Sequence, residues 1–315
     1  MSRLEGRRTV ITGAASGIGE ATARLFVAEG ASVVLADLDA ARGERIAGEL
    51  GDRARFVAVD VSEEGAIERA IEESLSTFGG LDCLFNNAGN PGSLGRIENV
   101  DAGAFDRTVA IHLRGVFLGI RAAARVMRPQ GHGSIVNTAS VAGLTSNAAG
   151  HDYSAAKAAV IALTRTTANE LGEDGVRVNA ICPGGIATSI FGRAAGLDAE
   201  AAQETIGLME AVLSDVAPMR RSGQPTDIAE RVKAIVCAPD KLAPDKSQSS
   251  LLRRCLERED SCHFFTREAK GWRWVKWLHE QGLLPPLFDA SRRELTKPEW
   301  DLAYWLAGEL LAEPS

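Results

Sequence analysis

Two side chains in this sequence are spaced to move a proton. Tyr153 and Lys157 stand four residues apart in the stretch Gly150-His151-Asp152-Tyr153-Ser154-Ala155-Ala156-Lys157. The Ala-rich run that continues from it carries apolar residues at helical spacing. The pair therefore falls at i, i+4 on one helix face. Both residue types are scarce here: Tyr153 is the only Tyr and Lys157 the only Lys in the first 230 residues, a span that uses Arg twenty times. A free phenol titrates near ~10, too high for a base at neutral pH. An ammonium ~4 Å away, at an effective dielectric of ~20, favours the phenolate by ~4 kcal/mol. That is roughly three pKa units, enough for general acid–base work. The same spacing also fits an amphipathic helix with a buried Tyr and a Lys that snorkels to solvent. Ser140, just past an apolar run at Ser134–Thr138, adds a hydroxyl near the start of this stretch.

The elements that must carry these groups alternate between strand and helix patterns. Residues 7–12 read as a strand, followed by Gly13-Ala14-Ala15-Ser16-Gly17-Ile18-Gly19 and a helix through Glu29. A glycine-rich turn between strand and helix lets backbone approach a pyrophosphate, and the helix N-terminus offers it unpaired N–H groups. The spacing here is G-x-x-x-G-x-G, and such turns also serve plain helix–strand packing. The next strand, 31–36, ends at Asp37-Leu38-Asp39. A carboxylate there can accept hydrogen bonds from adenosine ribose hydroxyls and repels a 2′-phosphate. Ser16 is no Arg that could welcome one, so NAD is favoured over NADP. Asp37 as a helix N-cap is the structural alternative. Helix 39–50, strand 54–59 ending at Asp60-Val61, helix 63–78 and strand 81–86 ending at Asn87-Ala88-Gly89 follow. One long helix spans 103–128, then come strand 134–138, the Tyr/Lys helix, strand 177–181, Pro183-Gly184-Gly185-Ile186-Ala187-Thr188, an Ala-rich stretch at 189–218 and a helix from Thr226 to Cys237. This βαβα order predicts a doubly wound parallel α/β sheet of Rossmann-like type, with polar residues gathered at the carboxyl ends of its strands.

Composition narrows the classes. A net charge of −7 argues against nucleic acid as a partner. The start lacks an apolar signal segment and no run of 18 apolar residues occurs, so a cytoplasmic protein without a membrane partner is expected. The five Cys (83, 182, 237, 255, 262) lack C-x-x-C spacing and read as reduced structural thiols, with no metal site expected. All five Trp lie between 272 and 305, and six of the seven Lys at or after 233. This shift, with Pro239, Pro244 and a polar linker, divides the chain into 1–237 and 238–315. Residues 251–260, 268–281 and 298–311 read as helices of a Trp-containing extension.

Five motifs in order resemble the short-chain dehydrogenase/reductase family over residues 5–237: Thr12-Gly13-x-x-x-Gly17-x-Gly19, Asp60-Val61, Asn86-Asn87-Ala88-Gly89, Ser140 with Tyr153-x-x-x-Lys157, and Pro183-Gly184 with Thr188. Within it the chain looks most like NAD-dependent secondary alcohol dehydrogenases acting on cyclic alcohols and ketones. The resemblance implies hydride transfer between a carbinol carbon and the nicotinamide. Tyr153 would be the acid/base, Lys157 would lower its pKa and bind the nicotinamide ribose, and Ser140 would bond the substrate oxygen. Gly13, Ser16, Gly17, Ile18 and Gly19 would cradle the pyrophosphate. Asp37 and Leu38 would meet the adenosine ribose, and Asp60 and Val61 the adenine. Asn87, Ala88 and Gly89 would line the cofactor floor, with Pro183, Gly184, Ile186 and Thr188 on the carboxamide and phosphate side. Asn137 and Thr138 would be structural. A homodimer or homotetramer is also implied.

Two departures accompany the resemblance. The family's N-L-x-G-V-F pattern reads His112-Leu113-Arg114-Gly115-Val116-Phe117 here, so His112 replaces an Asn that holds a relay water leading from Lys157. An imidazole can donate and accept, and a neutral, hydrogen-bonded structural His is the expectation. The family's last strand and Gly-Gly tail have no counterpart after Cys237, so the helical extension stands in place of the usual last strand. A catalytically impaired NAD-binding or interaction protein is the alternative outside the enzymes. Reduction of a 3-oxoacyl thioester is the alternative within them.

Overall fold

The computed structural model describes residues 2–238 except 147 and 218. Its strands are β1 (Arg8–Thr12), β2 (Ser32–Asp37), β3 (Ala54–Ala58), β4 (Cys83–Asn86), β5 (Gly133–Thr138) and β6 (Val176–Ile181), all parallel and ordered β3-β2-β1-β4-β5-β6. The main helices are α1 (Gly17–Ala28), α2 (Ala40–Leu50), α3 (Ala66–Phe78), α4 (Ala102–Val109), α5 (Gly115–Gln130) and α6 (His151–Leu171). Three short ones, α7 (Ile190–Ala194), α8 (Ala199–Glu204) and α9 (Ile206–Val216), fill the Ala-rich stretch before α10 (Pro225–Val236).

The period of two along the strands builds both layers. Val10, Val34 and Ala36 point into a core shared with α3, α5 and α6, through Ile67, Ile71, Val116 and Val160. Ile11, Val33 and Leu35 point the other way, onto Ala23 and Phe26 of α1, Ile46 of α2 and Val232 of α10. Strands buried on both faces must be apolar throughout, which is why they read as continuous Val/Ile/Leu runs. The order reverses between β1 and β4, so the crevice outside their carboxyl ends is the place where such sheets bind ligands.

Two local expectations are corrected. The long helix over 103–128 is interrupted: α4 and α5 are joined end to end by a π turn at Ala110–Arg114, with His112 inside it. Such turns bulge the helix by one residue and redirect the side chain they carry. The helix N-cap after β2 is Asp39, which accepts from Arg42 N at 3.1 Å, and not Asp37. The boundary at 238, the Trp-containing helices and the missing last strand lie outside the described residues. Among the described residues no helix is long and apolar enough to cross a membrane. Among the described residues Cys83, Cys182 and Cys237 form no disulfide, and burial pushes Cys83 up to about 12, beyond any reactive role.

Candidate active site

The dinucleotide side of the site is made mostly of backbone. Gly13 takes φ +66°, and a Cβ on it would stand 2.8 Å from Ala88 Cα. A Cβ on Gly19 would collide with Gly13 O. Both positions therefore exclude any side chain, and the turn folds tightly over the end of β4. Ser16 precedes α1 in extended conformation with no side-chain cap, so the first-turn N–H groups of Gly17, Ile18 and Gly19 face outward unclaimed by a cap. Thr12 stitches the two central strands: its hydroxyl oxygen accepts from Asn87 N (2.9 Å) and Ala88 N (3.1 Å). Asn87 Nδ2 returns a bond to Thr12 O at 3.1 Å. The 183–188 segment closes from the other side. Pro183 O accepts from Val141 N at 3.1 Å, Ile186 bridges to Gly223, and the Thr188 methyl packs toward Gly17.

Asp37 ends β2 beside this turn. One carboxylate oxygen accepts from Ala15 N (2.9 Å) and the other from Asp39 N (3.0 Å). Each oxygen keeps a further lone pair, which leaves acceptor capacity for a diol. Leu38 next to it is 68% exposed. Asp60 accepts from Ser62 N and Oγ at 2.8 and 2.6 Å, and Val61 is buried beside Gly115.

The proton-moving side is made of buried side chains. α6 carries Tyr153 and Lys157 on one face, with Lys157 Nζ 5.5 Å from the phenol ring centroid. Lys157 is 2% exposed and its Nζ donates to Thr138 O at 2.6 Å. Among the described residues no carboxylate pairs with it. Burial pushes its ammonium down to about 7, with only a weak opposing pull from Cys182. Burial raises the Tyr153 phenol, while a hydrogen bond with the Ser140 side chain pulls the other way. The simple expectation that the amine drags the phenol down is thus corrected: without a counter-ion, desolvation favours the neutral form of both. The two remain linked, because a charge on either stabilises the opposite charge on the other.

His112 is 1% exposed and meets the Tyr153 ring edge-on, with centroids 4.9 Å apart. Its Nε2 lies 2.9 Å from Asn90 O and 3.0 Å from Asn90 Oδ1, while Nδ1 has no partner among the described residues. Burial first, and the Lys157 charge second, hold it well below the ordinary imidazole value. It is therefore neutral and hydrogen-bonded, as expected from the sequence. A Cβ on Gly89 would stand 2.6 Å from its Cε1, so that glycine makes room for the ring. Asn137 is also structural: it accepts from Asn86 and donates to Thr164, both at 2.9 Å.

The structure thus brings Ser140, Tyr153, Lys157 and His112 together, and the glycine turn with Asn87, Ala88 and Thr188. Sequence reasoning missed Asn90, Ser93 and Asp152. Asp152 is fully buried and accepts from Ser93 N and from Tyr153 N. The signal available was a carboxylate directly preceding the phenol in the first turn of its helix.

A glycine turn at the switch point of a parallel sheet, opposite buried ionisable groups, defines a dinucleotide-dependent oxidoreductase of Rossmann type. Comparison with known proteins gives the particular family. The family profile described as "Enoyl-(Acyl carrier protein) reductase" (adh_short_C2) matches residues 13–239, and the chain belongs to the short-chain dehydrogenase/reductase family. It is 42% identical over 223 residues to momilactone A synthase of Oryza sativa subsp. japonica, covering 70% of this chain and 79% of that protein. It is 43% identical over 186 residues to 3-alpha-(or 20-beta)-hydroxysteroid dehydrogenase of Mycobacterium bovis, covering 59% and 71%. The crystal structure of 3-ketoacyl-(acyl-carrier-protein) reductase from Brucella melitensis complexed with NADH superposes with a TM-score of 0.66 at 36% identity, covering 75% of this chain and 92% of that one. The chain is accordingly a dehydrogenase acting on CH–OH groups with a nicotinamide dinucleotide. The matched region ends at residue 239.

Proposed function

We propose that the protein transfers a hydride between NAD(H) and a secondary alcohol or ketone, with Tyr153 as the acid/base. The observation that carries this reading is the Tyr153 phenol with Lys157 one turn away on the same face of α6, 2% exposed, its Nζ 5.5 Å from the phenol ring centroid and donating to Thr138 O at the carboxyl end of β5.

The residues present fit a dinucleotide. The open N-terminus of α1 and the side-chain-free positions 13 and 19 suit a pyrophosphate. Asp37 suits a ribose diol and opposes a 2′-phosphate, which favours NAD. When bound, the nicotinamide supplies the acceptor or donor for the hydride. In reduction, the Tyr153 hydroxyl gives its proton to the carbonyl oxygen as the hydride reaches the carbon. In oxidation, its phenolate takes the proton from the carbinol hydroxyl as the hydride leaves. Ser140 holds the substrate oxygen, and the Lys157 ammonium stabilises the phenolate. General acid–base catalysis of this kind contributes ~10²–10⁴-fold. Because burial favours the protonated phenol, the site is set as an acid at neutral pH. Oxidation of an alcohol, which needs the phenolate, should therefore be slow at neutral pH and speed up only as pH rises towards the phenol's own titration.

Reduction of a 3-oxoacyl thioester is the second reading, favoured by the similarity to the 3-ketoacyl-(acyl-carrier-protein) reductase holding NADH. One assay separates the two. Reduced nicotinamide is followed by its near-ultraviolet absorbance, with cyclohexanol and NAD⁺ or NADP⁺ in one arm and acetoacetyl-CoA and NADH or NADPH in the other. Turnover of cyclohexanol with NAD⁺ is expected. Turnover of the thioester alone would replace the alcohol reading.

A further inference from the structure

Asp152 is a fully buried carboxylate that joins three parts of the chain. From α6 it accepts its neighbour's N–H, Tyr153 N, at 2.7 Å. From the segment after β4 it accepts Ser93 N at 2.9 Å on one oxygen and 3.1 Å on the other. From α4, Thr108, whose hydroxyl donates to Ala104 O at 3.0 Å, helps to hold the Asp152 carboxyl down. Burial pushes the Asp152 carboxyl up, but bonds from Ser93, Thr108 and the backbone outweigh it and hold the group below its ordinary value, so it is a carboxylate.

The helix dipole alone accounts for an acid in a first turn. It does not account for the approach of the 90–93 segment. A Cβ on Gly92, which has φ +71°, would stand 2.8 Å from Tyr153 Cβ and 3.0 Å from Asp152 Oδ1. A Cβ on Gly150 would collide with Ser93 O. The same segment carries Asn90, whose Oδ1 accepts from Gly92 N at 3.1 Å and whose backbone O lies 2.9 Å from His112 Nε2. The His112 ring then stands edge-on to Tyr153. The contacts close a ring: Tyr153, Asp152, Ser93, Asn90, His112 and back to Tyr153.

We propose that Asp152 is a positioning residue: it fastens the 90–93 segment to the first turn of α6, and that segment keeps His112 against the phenol and water away from it. The proposal rests on the reading of Tyr153 as the acid/base, but its test does not need a substrate. The chain has two tyrosines, so a Tyr304→Phe background leaves Tyr153 as the only phenol. Tyrosinate absorbance during an alkaline titration then reports Tyr153 alone. The parent midpoint should lie above the ordinary ~10.

Two variants open the ring from different sides. Asp152→Asn turns one accepting oxygen into an amide donor that faces the Ser93 N–H. Gly150→Ala drives Ser93 O away from α6 without changing charge, and alanine is a poorer helix cap than glycine, so the variant is first checked for a native fold. Both should bring the midpoint down towards ~10 as water reaches the phenol, while NADH binding, followed by fluorescence, stays at the parent value. A midpoint that moves in Asp152→Asn but not in Gly150→Ala reports the lost charge alone and overturns the proposal, as does an unmoved midpoint in whichever variant folds. Tyr153→Phe, assayed with NAD⁺ and cyclohexanol, separates this failure from failure of the acid/base reading. An inactive Tyr153→Phe beside unmoved midpoints sinks only the positioning role.

Discussion

At the amino edge of the sheet, Asp82 gathers Arg8 Nε (2.6 Å), Arg8 N (2.9 Å), Arg7 (3.5 Å) and His132 (3.3 Å) around one 5%-exposed carboxylate. At the carboxyl edge, among the described residues, Lys157 is buried with a single carbonyl as hydrogen-bond partner, and His112 keeps a bare Nδ1. Burial pushes Asp82 up, but the bonds and charges of Arg8 and Arg7 hold it below the ordinary carboxylate value, so its charge is fully compensated. The charges at the other edge are not compensated, and Lys157 falls to about 7 as a result. One cluster spends its contacts on holding β1, β4 and β5 in register. The other leaves its groups able to change protonation, which acid–base chemistry requires.

Replacing the uncompensated charge should separate activity from stability most widely. Lys157→Met is expected to lower turnover by about a thousandfold, within the usual range for acid–base catalysis. Stability to urea at pH 7 should stay level or rise, because a buried group without a counter-ion has been replaced by an apolar one. A parallel loss of stability would show that the lysine is held for structure.

Asp82→Ala should do the reverse. Breaking a buried ion pair costs about 3 kcal/mol, the low end of the usual range because Arg8 keeps some contact with water. Denaturant midpoints check this, and turnover per folded molecule should be unchanged.

His112→Asn tests the sign of burial on the imidazole. As pH falls below ~6.5 the unfolded chain gains a proton at His112 that the folded chain resists, so stability drops by ~1.4 kcal/mol per pH unit until the lowered folded value is reached. The variant should lose that slope between pH ~6.5 and ~5, and an unchanged slope would assign the acid sensitivity elsewhere. The smallest effect is expected from Asp37→Ser. The ratio of NAD⁺ to NADP⁺ efficiency should fall by about tenfold, or ~1.4 kcal/mol, measured as kcat/KM with each cofactor.

The two edges were not equally legible in the sequence. Gly13, Gly17, Gly19, Tyr153 and Lys157 announce themselves by type and spacing, because glycine and an i, i+4 pair carry their geometry locally. Asp82 looks like any polar residue before a strand, since its partners come from Arg8 and His132 far along the chain. Asp152 reads as an ordinary first-turn acid, because Ser93 reaches it only after folding. The π turn at 110–114 leaves no mark, for the apolar spacing on either side continues unbroken. The upward shift of the Tyr153 phenol is not legible for a related reason: spacing gives the distance to Lys157, while desolvation depends on how the tertiary fold covers both.

The claim beneath all of this is that one buried phenol carries the proton while the hydride moves, and replacing that hydroxyl tests it most directly. Tyr153→Phe should form no reduced nicotinamide from NAD⁺ and cyclohexanol above about a hundredth of the parent rate, while binding NADH as the parent does. A variant that turned over at the parent rate would contradict the account.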